Sequence, residues 1–128
     1  MSLPKIKELH YCRGWIDICS SFADLNYQKR CWFDIAGPEE SSYDEDLCNF
    51  MGRLEMLDNR EGLNEVSYNL VKKLEQELEM FALSEKGSDI CDKEDLFKNK
   101  AWLKLSQIAE KAVEALKQYE MELSLIHI

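Results

Sequence analysis

Proline and glycine are scarce: two prolines and five glycines punctuate 128 residues. A chain with so few turn-forming positions favours long helices over a turn-rich β sandwich. Histidine is scarcer still, with only His10 and His127. No Glu-x-x-His pair occurs, so the di-iron signature of four-helix bundles is missing. No Cys-x-x-Cys pair occurs either. The five cysteines, Cys12, Cys19, Cys31, Cys48 and Cys91, are odd in number and widely spaced. That pattern argues against a disulfide framework and for a reducing compartment. No run approaches the roughly 20 apolar residues that span a bilayer. The N-terminus lacks the basic segment and apolar run of a secretory signal. These absences lead us to expect a cytoplasmic protein that needs no metal, cofactor or disulfide.

Catalytic constellations are equally thin. His10 and Cys12 are two apart, and on a helix that spacing puts the side chains on different faces. Cys12 and Cys19 are seven apart on an apolar stripe, which reads as core before it reads as a redox site. The glycines are scattered, and "AGPEE" places acids where a phosphate-cradling loop needs amides and a lysine. The most basic stretch, "KNKAWLK", follows closely on Asp92, Glu94 and Asp95. We read Lys98, Lys100 and Lys104 as a solvated helix face and not a nucleic-acid site. The expectation is a protein that is not an enzyme and binds neither nucleic acid nor membrane directly.

What the chain does hold is core and helical period. Hydrophobic residues make up 45% of it, and three Trp, five Tyr and five Phe supply large buried areas. Ile6, Leu9, Cys12, Ile16, Cys19, Phe22 and Ala23 recur at three- and four-residue steps, with Trp15 and Ile18 widening the face. Ser2 and Pro4 suit the start of that helix, and Gly14 weakens its middle. Trp32, Phe33 and Ile35 cluster before the Gly37-Pro38 break, where they either cover the core or present an anchor.

"SYDE" matches a capping box, with Ser42 as cap and Glu45 reaching back. Leu47, Phe50, Met51, Leu54 and Leu57 then form one stripe, and Gly62 is a natural stop. Asn64 can cap a third helix carrying Val66, Leu70, Val71, Leu74, Leu78, Phe81 and Ala82. Leu105, Ile108, Ala109, Ala112, Leu116, Tyr119 and Leu123 line a last one. Leu96, Phe97 and Trp102 belong to that helix or to a short turn before it. The predicted helices lie near residues 4–26, 43–61, 65–85 and 100–124. The fold class is all-α: a single-domain antiparallel bundle of four to five amphipathic helices spanning residues 1–128.

The formal net charge of -9 is unevenly distributed. Residues 39–65 hold nine acidic and two basic side chains, a net of -7. Helix-dipole preference explains acids at 44–46, in a first turn. It does not explain Glu39 and Glu40 in the loop or the acids in later turns. At about 100° per residue, Asp44 and Glu55 project within roughly 20° of each other, off the apolar stripe. A surface of one sign steers a basic partner, and aromatic anchors beside it add affinity. The candidate partner-binding set is therefore Glu39, Glu40, Asp44, Glu45, Asp46, Glu55, Asp58 and Glu61, flanked by Trp32, Phe33 and Tyr43. The plain alternative is a merely solvated, solubilising face.

The stretch "HYCRGWIDICSSFADLNYQKRCWFDIAGPEESSYDEDLCNFMGRL" resembles an enterobacterial immunity protein of contact-dependent growth inhibition systems. The resemblance covers the N-terminal half best and carries no diagnostic motif. It implies a small cytosolic antitoxin that binds and blocks the C-terminal toxin domain of a delivered surface protein. Many such toxins are nucleases with basic substrate-binding surfaces, and some act with a host enzyme such as cysteine synthase. Two other classes stay open. One is a helical regulator or adaptor with a basic non-toxin partner. The other is a small-molecule-binding bundle, as an enzyme or otherwise.

Overall fold

The computed structural model describes residues 3–29, 43–56, 61–83 and 98–125. Those residues form five helices: α1 Leu3–Ala23, α2 Leu25–Gln28, α3 Tyr43–Met56, α4 Glu65–Leu83 and α5 Lys100–Leu125. The fold is all-α, as the periodicity predicts, and no strand occurs among the described residues. The predicted Ser42 cap, Leu57, Leu96 and Phe97 lie outside them.

The first predicted helix is divided. Asp24 takes extended backbone angles (φ -97°, ψ 98°) and its carboxylate accepts from Tyr27 N, capping α2. The chain can break there because the terminal carbonyls of α1 all find donors, three of them from side chains. Ser20 O accepts from Asp24 N. Gln28 Nε2 donates to Ser21 O at 2.9 Å and Phe22 O at 3.0 Å. Ser106 Oγ donates to Ala23 O. A helix end buried in the core would otherwise strand these acceptors. Gln28 is itself fully buried, and its Oε1 accepts from Trp102 Nε1 at 3.0 Å, so both ends of its amide are used. Periodicity alone ran the helix on to 26, because a cap supplied by a later glutamine leaves no periodic signal.

The other starts follow their caps. Asn64 Oδ1 accepts from Ser67 N while Ser67 Oγ accepts from Asn64 N, a reciprocal pair that opens α4 as expected. Asn99 Oδ1 accepts from Ala101 N and Trp102 N and opens α5, which contains Trp102. The second predicted helix is described as α3 over Tyr43–Met56, residues 57–60 lie outside the described residues, and Glu61 and Gly62 form a turn. Gly62 has φ +81°, and a Cβ there would stand 2.6 Å from Cys12 N. Glycine is required both by that angle and by that approach.

α5 is the central element. It runs antiparallel to α1, pairing Cys12 with Leu116 and Ala23 with Ser106. It runs antiparallel to α4 as well, with Phe81 against Trp102 at 5.2 Å. α3 packs on α1 through Phe50, which meets Trp15 and Phe22. The core joins Trp15, Phe22, Phe50, Leu74, Leu78, Trp102, Leu105 and Leu116, all at most 1% exposed. Cys12 and Cys19 are part of this core, as their spacing predicts.

Candidate partner-binding surface

The acidic segment reaches the surface through α3. Its inner face is fixed by Phe50, fully buried edge-on against Trp15 at 6.0 Å and Phe22 at 5.8 Å. Leu47, Met51 and Leu54 pack beside it against the same core. With these apolar positions turned onto α1, Glu45, Cys48, Asn49 and Glu55 face outward and are exposed.

Arg53 does not join them. Its guanidinium folds inward, over the Trp15 ring at 5.2 Å and the Tyr11 ring at 5.9 Å. Nη2 donates to Tyr11 O at 2.9 Å. Nε is buried without a hydrogen-bond partner among the described residues. Burial lowers the Arg53 pKa, opposed by the nearby Cys19, Tyr11 and Asp17. A guanidinium tolerates such a site because it is weakly hydrated and stacks on aromatic faces. The site exists because residue 14 is glycine: a Cβ there would fall within 2.7 Å of Arg53 Cζ. The glycine that weakens the helix by propensity is the opening through which the arginine packs.

Trp15 also ties Glu61 to this end of α3. Its Nε1 donates to Glu61 O at 3.0 Å, and the Glu61 side chain is exposed. The turn is held from a second direction by Glu8, whose Oε1 accepts from Gly62 N at 2.8 Å. Oε2 of the same carboxylate accepts from Tyr119 Oη at 2.6 Å. Burial, and then the bond to Glu8, raises the Tyr119 pKa. Glu55 and Glu61 are thus both exposed at this end of α3. Glu65, at the first turn of α4, is exposed a few residues on.

Asp46 corrects the predicted set. It is 6% exposed, and its Oδ2 accepts from Tyr27 Oη at 2.8 Å. It holds α3 to the segment after α1 and does not face a partner. Of the remaining predicted positions, Tyr43 and Asp44 open α3. Trp32, Phe33, Glu39, Glu40 and Asp58 lie outside the described residues. Sequence reasoning counted Arg53 as an offset to the acids and missed its inward role. The available signal was a mid-helix glycine one helix away, which has no distinctive pattern.

The chemistry open to the other groups is limited. Burial pushes the Cys12 thiol up to about 12, helped by Glu120 and Glu8, and Cys12 Sγ donates to Leu116 O. Burial likewise raises Cys19 to about 12, with Arg53 opposing. Thiols held this far above neutrality are packed core groups and not nucleophiles. His10 is exposed and meets Tyr11 edge-on at 5.8 Å. Lys98, Lys100 and Lys104 are exposed, with Lys104 Nζ 3.8 Å from Glu77. Among the described residues no three acidic, cysteine or histidine side chains form a group that could hold a metal ion. No described helix is long and apolar enough to cross a membrane. Neither a family model, nor a curated protein, nor a solved structure matches the chain at a significant level.

Proposed function

We propose that this chain is an immunity protein that binds and neutralises a cognate toxin domain, a nuclease by chemistry, through the acidic surface on and beside α3. The observation that carries the reading is the inward fold of Arg53. It takes the only basic side chain of α3 off the outer face, where Glu45 and Glu55 are exposed. In a segment of net charge -7, Glu45, Glu55, Glu61 and Glu65 are exposed while one of its two cations turns in. Nuclease domains carry cationic surfaces for phosphate backbones, and an acidic face is their electrostatic complement. The resemblance of the N-terminal half to immunity proteins supports the toxin as partner.

The test is association kinetics with the purified cognate toxin domain, run beside a growth-protection assay. Reversing Glu39, Glu40, Asp44 and Glu55 to lysine should slow association by tenfold or more at low ionic strength, an effect that salt diminishes. Protection should weaken in parallel, and the helical spectrum should stay unchanged. Neutralising Lys98, Lys100 and Lys104 should matter less. A lysine-reversed variant that associates at the wild-type rate in low salt would show that this face does not dock the toxin. Tight binding of a basic partner without growth protection would point instead to a helical adaptor.

A further inference from the structure

The α1–α5 pair leaves a shallow open groove. Arg13, Ile16 and Asp17 form one wall and Lys117, Glu120 and Met121 the other. Met121 is 57% exposed, and Leu125, one turn further along α5, is 61% exposed. Met121 thus gives the groove an apolar element that the described residues leave uncovered. Its charges balance, with two cations against two carboxylates, on a chain whose formal net charge is -9. Arg13 and Glu120 already pair across the groove at 2.9 Å. Asp17 and Lys117 face the same groove from opposite walls, and neither has an ion pair among the described residues.

We propose that this groove is a dimerisation surface whose occupant is the same groove of a second copy. The argument is self-complementarity. A two-fold axis running along the groove lays α1 of each copy over α5 of the other, at equal height. An isologous interface sets each residue pair twice. Asp17 then meets Lys117 of the second copy, and Lys117 meets its Asp17. Arg13 and Glu120 can exchange partners without loss of opposite-sign contact, while Met121 and Ile16 close over each other. Two copies of so acidic a chain repel through most of their surface. They meet without that penalty where the charge is balanced and the signs alternate. The pair of helices is about 30 Å long at 1.5 Å per residue, which puts the interface near the lower end of the usual size range. The dimer is accordingly reversible and concentration-dependent.

The experiment is sedimentation equilibrium of the full chain from about 5 µM to about 500 µM, a range that captures weak self-association. The mass should rise from 15.0 kDa toward twice that value. Asp17→Lys and Lys117→Glu should each weaken self-association by about tenfold or more, because each sets like charges together at two places. The double variant Asp17→Lys/Lys117→Glu restores both pairs and should return the dimer to within a few-fold of wild type. Met121→Glu should abolish it. A helical spectrum and an unchanged urea midpoint in each variant separate loss of the interface from loss of the fold. A single 15.0 kDa species at every wild-type concentration would overturn the proposal. So would a dimer that the single reversals leave intact, or single reversals that the double variant does not rescue.

Discussion

Replacing a glycine with alanine inside a helix ordinarily stabilises it by about 1 kcal/mol. Gly14→Ala should do the reverse. The new methyl would meet the Arg53 guanidinium at 2.7 Å from Cζ, so the arginine must leave. Leaving forfeits the charged hydrogen bond to Tyr11 O, about 1.5–3 kcal/mol. It also forfeits the stacking on Trp15 and Tyr11, about 0.5–2 kcal/mol. Set against the helix gain and the release of the unpaired buried Nε, the net is a loss of up to about 3 kcal/mol. In an Arg53→Ala background the obstruction is gone, and the same Gly14→Ala change should stabilise by up to about 1 kcal/mol. The sign reversal is the diagnostic, read from urea midpoints in a double-mutant cycle. The displaced guanidinium should also swing toward the acidic face, so Gly14→Ala should slow association with a cationic partner while Gly14→Ala/Arg53→Ala does not. If Gly14→Ala stabilises the wild type as much as it stabilises Arg53→Ala, the arginine does not occupy the opening as described.

Asp46→Asn should lower stability by about 1–2 kcal/mol through its bond to Tyr27 and leave partner association at low salt nearly unchanged, in contrast to Glu55→Lys. Gln28→Leu should cost about 2–4 kcal/mol in urea denaturation, because Ser21 O, Phe22 O and Trp102 Nε1 all lose a buried partner. A loss under about 0.5 kcal/mol would mean that water replaces the amide. The buried thiols make stability fall with alkaline pH. Cys12 and Cys19 are raised from 9.0 to about 12, so the folded state binds their protons more tightly than the unfolded state. Their contribution is complete below pH 9 and should decline as pH rises from 9 to 12, by about 1.4 kcal/mol per pH unit per thiol. Cys12→Ala/Cys19→Ala should flatten that slope, and an unchanged slope would exclude the thiols as its source.

The helices were legible because each buries one face: Leu74, Leu78 and Phe81 on α4, and Leu105, Ile108, Ala112 and Leu116 on α5, repeat at the helical period. Asn64 was legible as a cap because a cap acts within four residues of itself. What was not legible acts across the fold. Gln28 closes the end of α1 and meets Trp102 on α5, and nothing near residue 28 encodes a partner 74 positions away. Arg53 counts as surface charge in any tally of composition, and only its meeting with Gly14, Tyr11 and Trp15 withdraws it. Asp46 shares its charge and its first-turn position with Glu45. Burial beside Tyr27 separates the two, and burial depends on how α3 is rolled against α1.

The pairing of α1 with α5 also sets an order of events during synthesis. About 80 residues separate the end of α1 from the start of α5, and at 5–20 residues per second they take about 4–16 s to make. For that time the face of α1 that carries Cys12 and Cys19 has no α5 to receive it. Trp15 and Phe22, on the adjoining face, can meet Phe50 as soon as α3 emerges. The nascent chain thus has an early refuge for its largest aromatic side chains, and the last helix completes the core. A translational pause placed after α3 should be tolerated, whereas one before it leaves Trp15 and Phe22 uncovered and open to capture by chaperones.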